Sequence, residues 1–178
     1  MKQAEIRTCE GVYGPREDSD LLAGVVETHA HGDVLDLGTG SGIQGITAAL
    51  KGCRVTFADI DGNAIEAAKK NAQLNGVKGD FVISNLFANI GGSFDTIIFN
   101  PPYLPSEGKK EIALDGGKDG REIVERFLRD YKSHLKPGGL VLLLESSFSG
   151  YEKEIANGAK VLAKSHYFFE DLVVLELR

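Results

Sequence analysis

The chain has no tryptophan and only two cysteines, and no apolar stretch approaches the roughly 18 residues of a membrane span. Cys9 and Cys53 stand far apart, and neither belongs to a Cys-x-x-Cys pair. The chain therefore carries no zinc signature of its own, and both read as reduced thiols, with Cys53 partly buried. The opening Met1-Lys2-Gln3-Ala4-Glu5 has no apolar h-region, so a cytoplasmic chain without a secretory signal is expected. Positive charge is scarce as well: Lys and Arg total 20 against 26 Asp and Glu, a net charge of −6. That balance speaks against a broad phosphate-binding surface and leaves room only for a local basic patch. Repeats and low-complexity tracts are missing. The rest is ordinary for a soluble protein: 178 residues, 42% apolar and 26% charged, a length that fits one domain over residues 1–178 with one core.

Short apolar runs alternate with helical patterns. Asp33–Leu37, Arg54–Asp59, Gly79–Ser84, Phe94–Phe99 and Leu140–Leu144 read as strands. Ile43–Lys51 reads as a helix, and a second helix runs from an Asp61 cap to about Asn75, where Gly76 ends it. Asp18 or Ser19 is placed to cap an earlier helix over Leu21–Thr28. After a loop from Asn100 to Lys118, Asp119 with Glu122 resembles a capping box. The helix that follows places Val124, Phe127, Leu128, Tyr131 and Leu135 on one face, and Lys136-Pro137-Gly138-Gly139 stops it. A short helix is expected near Tyr151–Asn157. The last two strands, about Ala159–His166 and Phe169–Leu177, lie too close for a helical crossover and must be antiparallel neighbours. The expected fold is α/β: a seven-stranded, mostly parallel sheet closed by a C-terminal antiparallel strand, with helices on both faces.

Between the first strand and helix lies Asp36-Leu37-Gly38-Thr39-Gly40-Ser41-Gly42, and Gly40 to Gly45 also satisfies G-x-G-x-x-G. The glycines alone fit either a dinucleotide or S-adenosylmethionine, and Asp59 ends the next strand where a ribose-binding acid belongs in both cases. Asp36 tips the balance. A carboxylate there repels a pyrophosphate but attracts the α-amino group of a methionine moiety. The helix N-terminus beyond Gly42 suits that ligand's carboxylate.

At the carboxyl end of the fourth strand stands Asn100-Pro101-Pro102-Tyr103. Open α/β sheets bind their ligands at that end of the strands. An amide or exocyclic amino nitrogen is a poor nucleophile because its lone pair is delocalised. Two acceptors on its two N–H groups hold it and favour pyramidalisation. The Asn100 side-chain carbonyl and the Pro101 main-chain carbonyl, the latter fixed by proline's locked φ, are the candidates. Tyr103 offers a face for a planar group and excludes water.

These pieces, with Val12-Tyr13-Gly14-Pro15-Arg16-Glu17-Asp18-Ser19 and Ala113-Leu114-Asp115-Gly116-Gly117-Lys118-Asp119-Gly120, make the chain similar to the HemK-type methyltransferases. That family methylates the glutamine side chain of a Gly-Gly-Gln motif in translation termination factors. The resemblance covers nearly the whole chain and points to the short archaeal and eukaryotic branch, since about eleven residues precede Val12. It implies a Rossmann-like class I fold with S-adenosylmethionine as cofactor, residues 1–18 forming an extension and cofactor lid. Tyr13, Ser19, Asp36, Gly38, Gly40, Gly42, Asp59, Ile60, Asn85, Leu86 and Asn100 are implied to line the cofactor. Asn100 to Tyr103 are implied to hold the glutamine amide. Asn85 departs from the family, where an aspartate is common, so weaker cofactor affinity is expected. The Asp115–Gly120 stretch is implied to be a lid that touches substrate. The branch also implies a small zinc-containing activator protein as partner, and the apolar stretch Phe81–Ile83 offers a possible sheet edge for it.

Three rivals stand beside this reading. An adenine N6 or guanine N2 methyltransferase acting on nucleic acid shares the Asn-Pro-Pro-Tyr motif. The acidic balance opposes it, and Glu122→Arg126 and Glu125→Arg129 are helix-spaced pairs that account for much of the local basic charge. A non-catalytic cofactor-binding scaffold leaves every filled catalytic position unexplained. An NAD-dependent oxidoreductase conflicts with Asp36 and with the reversed final strand.

Overall fold

The computed structural model describes residues 3–9, 11–102, 121–167 and 169–178. Seven strands form one sheet: β1 Asp33–Leu37, β2 Arg54–Asp59, β3 Asp80–Ile83, β4 Phe94–Phe99, β5 Leu135–Ser146, β6 Lys160–Tyr167 and β7 Glu170–Leu177. Their order is β3-β2-β1-β4-β5-β7-β6. The pairs from β3 through to β5 are parallel, and β7 runs antiparallel to both β5 and β6. The expected mostly parallel sheet with one reversed strand is present.

Helices α1 Glu17–His29, α2 Ile43–Leu50 and α3 Gly62–Asn75 cover one face. There Leu22, Val26, Ile46, Ala48, Ala68 and Ala72 pack with Val34, Phe57, Ile98, Leu142 and Leu144 of the sheet. Helices α4 Glu122–Asp130 and α5 Glu152–Ala156 lie towards the other face, where Val124 and Phe127, with Tyr131 and Tyr151, pack on Leu35, Leu37, Phe99 and Leu143. The central strands are apolar on both sides because both sides are covered. Local signals place α3: Asp61 accepts from the Asn63 N–H at 2.9 Å, and Gly76 ends the helix in the left-handed region at φ 69°. On the exposed side of α3, Glu66 and Lys69 form an ion pair of 2.6 Å.

Several boundaries differ from the sequence expectation. The helix after the loop stops at Asp130, a 3-10 turn spans Tyr131–His134, and Leu135 already belongs to β5. Leu135 pairs with Phe94, and the register shifts between Phe94 and Thr96, so Pro137 and Gly138 sit in an exposed irregular strand start. Strand pairing has taken over residues that a helical repeat claims. β5 also runs two residues past Leu144, since Glu145 and Ser146 pair with Val173 and Leu172. Neither Asp18 nor Ser19 caps α1. Arg16 holds the cap position without a side-chain bond, and both residues are buried in the first turn. Arg121 holds the cap position of α4. Asp119 and the Asp115–Gly120 stretch lie outside the described residues. The helix-spaced pairs expected on α4 take other partners: Arg126 donates to the Asn85 Oδ1 at 3.0 Å, and Glu125 pairs with Arg121.

Arg121 ties the start of α4 to the end of β5. Its guanidinium donates to the Ser149 carbonyl and to Glu154 Oε1, both at 2.5 Å, and lies 3.5 Å from Glu145 Oε2. Glu145 is fully buried. Burial, followed by the neighbouring charge of Glu154, pushes its carboxyl well above the usual carboxylate range. With the folded value raised, the stability linked to Glu145 is present at low pH and lost as pH climbs through that value. Arg121→Ala leaves two buried carboxylates without their cation and should cost about 3–5 kcal/mol near pH 8. The cost should shrink towards about pH 5, where Glu145 holds a proton. Urea unfolding of both proteins at the two pH values measures the difference.

Candidate functional site

β1 and β4 are adjacent, with Leu37 beside Phe99. From β1 the chain turns towards β2, and β4 leads on to β5, so the strand order reverses between them. A crevice opens outside the carboxyl ends of strands at such a reversal. The glycine loop leaves one side of it, and Asn100 leaves the other.

The loop is built from left-handed turns. Gly38, Gly40 and Gly42 have φ of 64°, 52° and 87°. A Cβ on Gly42 would lie 3.1 Å from Ala68 Cα, and one on Gly45 would meet the Phe57 ring at 2.3 Å. Glycine at these two positions lets α2 and α3 close onto the sheet. Asp36 braces the loop from below: its Oδ2 accepts from the Thr39 hydroxyl at 2.5 Å and from the Gly45 N–H at 2.9 Å. Its carboxyl is buried and is pushed up to about 7, chiefly by desolvation, against those two hydrogen bonds and with a further push from the charge of Asp59.

Asp59 stands at the end of β2. Its two oxygens accept from the Gly40 N–H at 2.9 Å and the Asp61 N–H at 3.0 Å. The Ile60 N–H also hydrogen-bonds to this carboxylate. Burial raises its pKa, and those backbone donors oppose the rise. Ile60, next in the chain, is 51% exposed. After β3, Leu86 is the one described non-glycine residue with positive φ, 49°. The Ser84 hydroxyl donates to its carbonyl at 2.7 Å, and the Asn89 N–H donates to Ser84 Oγ at 2.9 Å. A strained residue held by its surroundings marks a site where geometry matters. Asn85 beside it has its side-chain carbonyl engaged by Arg126.

The N-terminal segment closes one side. Asn71 and Asn75, one turn apart on α3, exchange hydrogen bonds with the backbone of Arg7 and Glu5 at 2.7–3.1 Å. Asn71 Nδ2 also donates to the Ser41 carbonyl at 2.9 Å, so one amide joins the segment to the glycine loop. The Tyr13 carbonyl lies 3.9 Å from where a Gly40 Cβ would sit. Ser19 is buried, and its carbonyl accepts from Gln44 Nε2 at 2.9 Å.

Asn100 Nδ2 donates to Asp18 Oδ2 at 3.0 Å. Asn100 Oδ1 is buried and has no hydrogen-bond partner among the described residues. A buried carbonyl left without a donor is uncommon and costly. Placed at the end of β4, it is an acceptor held ready for an N–H brought in by a ligand. Pro101 is buried and Pro102 half-buried. Tyr103 lies outside the described residues. The structure thus gathers Tyr13, Ser19, Asp36, Gly38, Gly40, Gly42, Asp59 and Asn100 around one crevice, with Ile60, Asn85 and Leu86 on the β2 and β3 side. Sequence reasoning missed Gln44, Arg126 and the Asn71 bridge. Only the one-turn spacing of Asn71 and Asn75 signals any of these in advance. Among the described residues no cluster of three or more His, Cys, Asp or Glu is arranged to hold a metal ion. No helix among them is long and apolar enough to cross a membrane.

Residues 3–168 match the family described as methyltransferase small domain. The chain is 43% identical, over 92% of its length and 90% of the relative's, to a Methanocaldococcus jannaschii protein described as a "putative protein N5-glutamine methyltransferase". It is 32% identical, over 92% of its length, to the ribosomal RNA small subunit methyltransferase C of Cronobacter sakazakii, but spans only 47% of that protein. Among solved structures, the E. cuniculi Mtq2–Trm112 complex, described as responsible for methylating the eRF1 translation termination factor, matches with a TM-score of 0.74. The identity there is 26%, over 93% of this chain and 97% of that one. The chain belongs to the methyltransferase small domain family and is an S-adenosylmethionine-dependent methyltransferase.

Proposed function

We propose that the chain methylates the side-chain amide nitrogen of glutamine in the Gly-Gly-Gln motif of a translation termination factor. The observation that carries the reading is the buried, unpartnered Asn100 Oδ1 at the end of β4. An amide nitrogen brings two N–H groups, and Asn100 Oδ1 with the Pro101 carbonyl would accept one each. Held that way, the nitrogen's lone pair is drawn out of conjugation and aimed along one line. When bound, S-adenosylmethionine supplies a sulfonium methyl group for in-line attack. Ser19, Asp36, Gly38, Gly40 and Gly42 would hold its methionine portion. Asp59 and Ile60 would hold its ribose, and Asn85, Leu86 and Tyr13 would enclose its adenine. The methylated nitrogen releases its proton to water, so no strong base is needed.

A glutamine rather than a base is supported by the nearly full-length likeness to the M. jannaschii protein and to Mtq2. The ribosomal RNA methyltransferase relative is matched over about half of its length. Incubation with labelled S-adenosylmethionine and either a termination factor or ribosomal RNA separates the two. Label should appear on the Gly-Gly-Gln peptide and fall by roughly 100-fold or more in Asn100→Ala. Label on RNA alone sinks the reading.

A small partner protein fits the β3 edge. β3 is an edge strand, Ile83 is 57% exposed, and Ile60 beside it is 51% exposed. An added strand would pair with that edge and cover Ile83. Any zinc would come with the partner. Ile83→Asp should weaken a complex with a candidate zinc-containing activator by about tenfold or more in a pull-down titration. A chain that is monodisperse and fully active alone removes the requirement for a partner.

Asp36 gives a pH test of the cofactor assignment. In the free protein it loses its proton at about 7, and a cationic ammonium nearby favours the ionised form. Affinity for S-adenosylmethionine should therefore fall about tenfold between about pH 8 and pH 6. Asp36→Asn should flatten that dependence. Calorimetric titrations at the two pH values decide it, and an equal slope in both proteins removes Asp36 from the cofactor's charge recognition.

A further inference from the structure

An asparagine amide is nearly symmetric in shape, and a half-turn of its end group exchanges carbonyl oxygen for NH2. At Asn100 the two orientations are opposite in chemistry. One presents an acceptor to an incoming N–H, and the other presents a donor that repels it. Something must select between them.

We infer that Asp18 is the positioning residue that fixes Asn100 with its carbonyl towards the acceptor nitrogen; the inference rests on the glutamine-methylation reading for what that nitrogen is. Asp18 lies in the first turn of α1, is 3% exposed, and reaches Asn100 across 82 positions of sequence. Its Oδ2 accepts from Asn100 Nδ2 at 3.0 Å and from the Tyr13 hydroxyl at 3.2 Å. Its Oδ1 accepts from the Ser19 N–H at 2.7 Å and the Ser19 hydroxyl at 3.2 Å. Four donors converge on a group with about four lone-pair directions, so the carboxylate is saturated and held in place. A carboxylate has no proton to give. Turning the Asn100 amide would set its carbonyl against that buried oxygen and lose the bond, so only the NH2-inward orientation survives. The unpartnered Oδ1 is the outward half of the same constraint.

The interaction also tunes the acceptor. A carboxylate on the NH2 side draws positive charge there and makes Oδ1 a stronger acceptor through the conjugated amide. Tyr13 and Ser19, placed by the sequence at the cofactor, grip the same carboxylate, so the closed N-terminal segment and the readied Asn100 are parts of one network.

Asp18→Asn keeps the shape and removes the constraint, because its own amide can offer either end. It should lower kcat roughly 10- to 100-fold while leaving the equilibrium affinity for S-adenosylmethionine within about twofold. In a double-mutant cycle, Asp18→Asn should add nothing to Asn100→Ala, since it acts only through Asn100. Losses that multiply, or a fall in cofactor affinity that matches the fall in kcat, overturn the inference. A measurement without acceptor separates it from the functional reading. The Asn100 side-chain NH2 signals in a 15N spectrum, assigned by their absence in Asn100→Ala, should exchange with water about tenfold faster in Asp18→Ala than in the wild type. Unchanged exchange overturns the positioning role. Slowed wild-type exchange together with no label on a Gly-Gly-Gln peptide sinks only the choice of glutamine.

Discussion

The adjacency of β1 and β4 is the constraint on which the rest of the molecule depends. Because Leu37 pairs with Phe99, the glycine loop and Asn100 leave the sheet side by side. A Cβ at Gly38 would lie 3.4 Å from the Phe99 ring and 4.0 Å from the Asn100 carbonyl oxygen, so the glycine loop packs beside the end of β4. Gly38 is held at φ 64°, so a larger residue there would strain the loop's own backbone. Hydrophobic burial on both faces holds the pair in register, and the crevice above it inherits that precision.

Much of this arrangement was legible in the sequence because it is locally encoded. Gly38, Gly40 and Gly42 follow a short apolar strand, and left-handed turns need that residue type. Asn100-Pro101-Pro102 follows another strand, and Asp61 and Gly76 bracket a helix by known capping chemistry. What stayed hidden depends on distant partners. Leu135 carries the helical spacing of α4, yet pairing with Phe94 claims it for β5. Glu125 is spaced for Arg129 and instead meets Arg121. Asp18 sits where a cap is expected and is drawn inward by Asn100, 82 positions away. A periodicity argument reports which face a residue occupies, and it is silent about what approaches that face from elsewhere in the chain.

The same distinction applies to Asn85. Its departure from the family's usual aspartate reads in sequence as a loss of charge near the adenine. In the structure its carbonyl oxygen already accepts from Arg126, a cation supplied by α4. An aspartate in that place would form a charge-assisted bond with Arg126 and stiffen the link between the β3 loop and α4. Asparagine makes the weaker, neutral-acceptor version, and a ligand can displace it more readily.

The charges around the crevice explain why one ligand class fits it. Asp36 and Asp59 stand at the carboxyl ends of β1 and β2 under the glycine loop, and burial raises both. For a pyrophosphate this would be a repulsive wall, and backbone N–H groups that could have cradled phosphates are already spent: those of Gly40 and Gly45 donate to Asp59 and Asp36. The glycine loop here turns its donors inward to hold acids. A ligand with an ammonium, a sulfonium and ribose hydroxyls, and no phosphate, finds complementary charge at that surface. A cation held beside these buried carboxylates would favour their ionised form, so the acids that oppose a phosphate are those that would select for the cation.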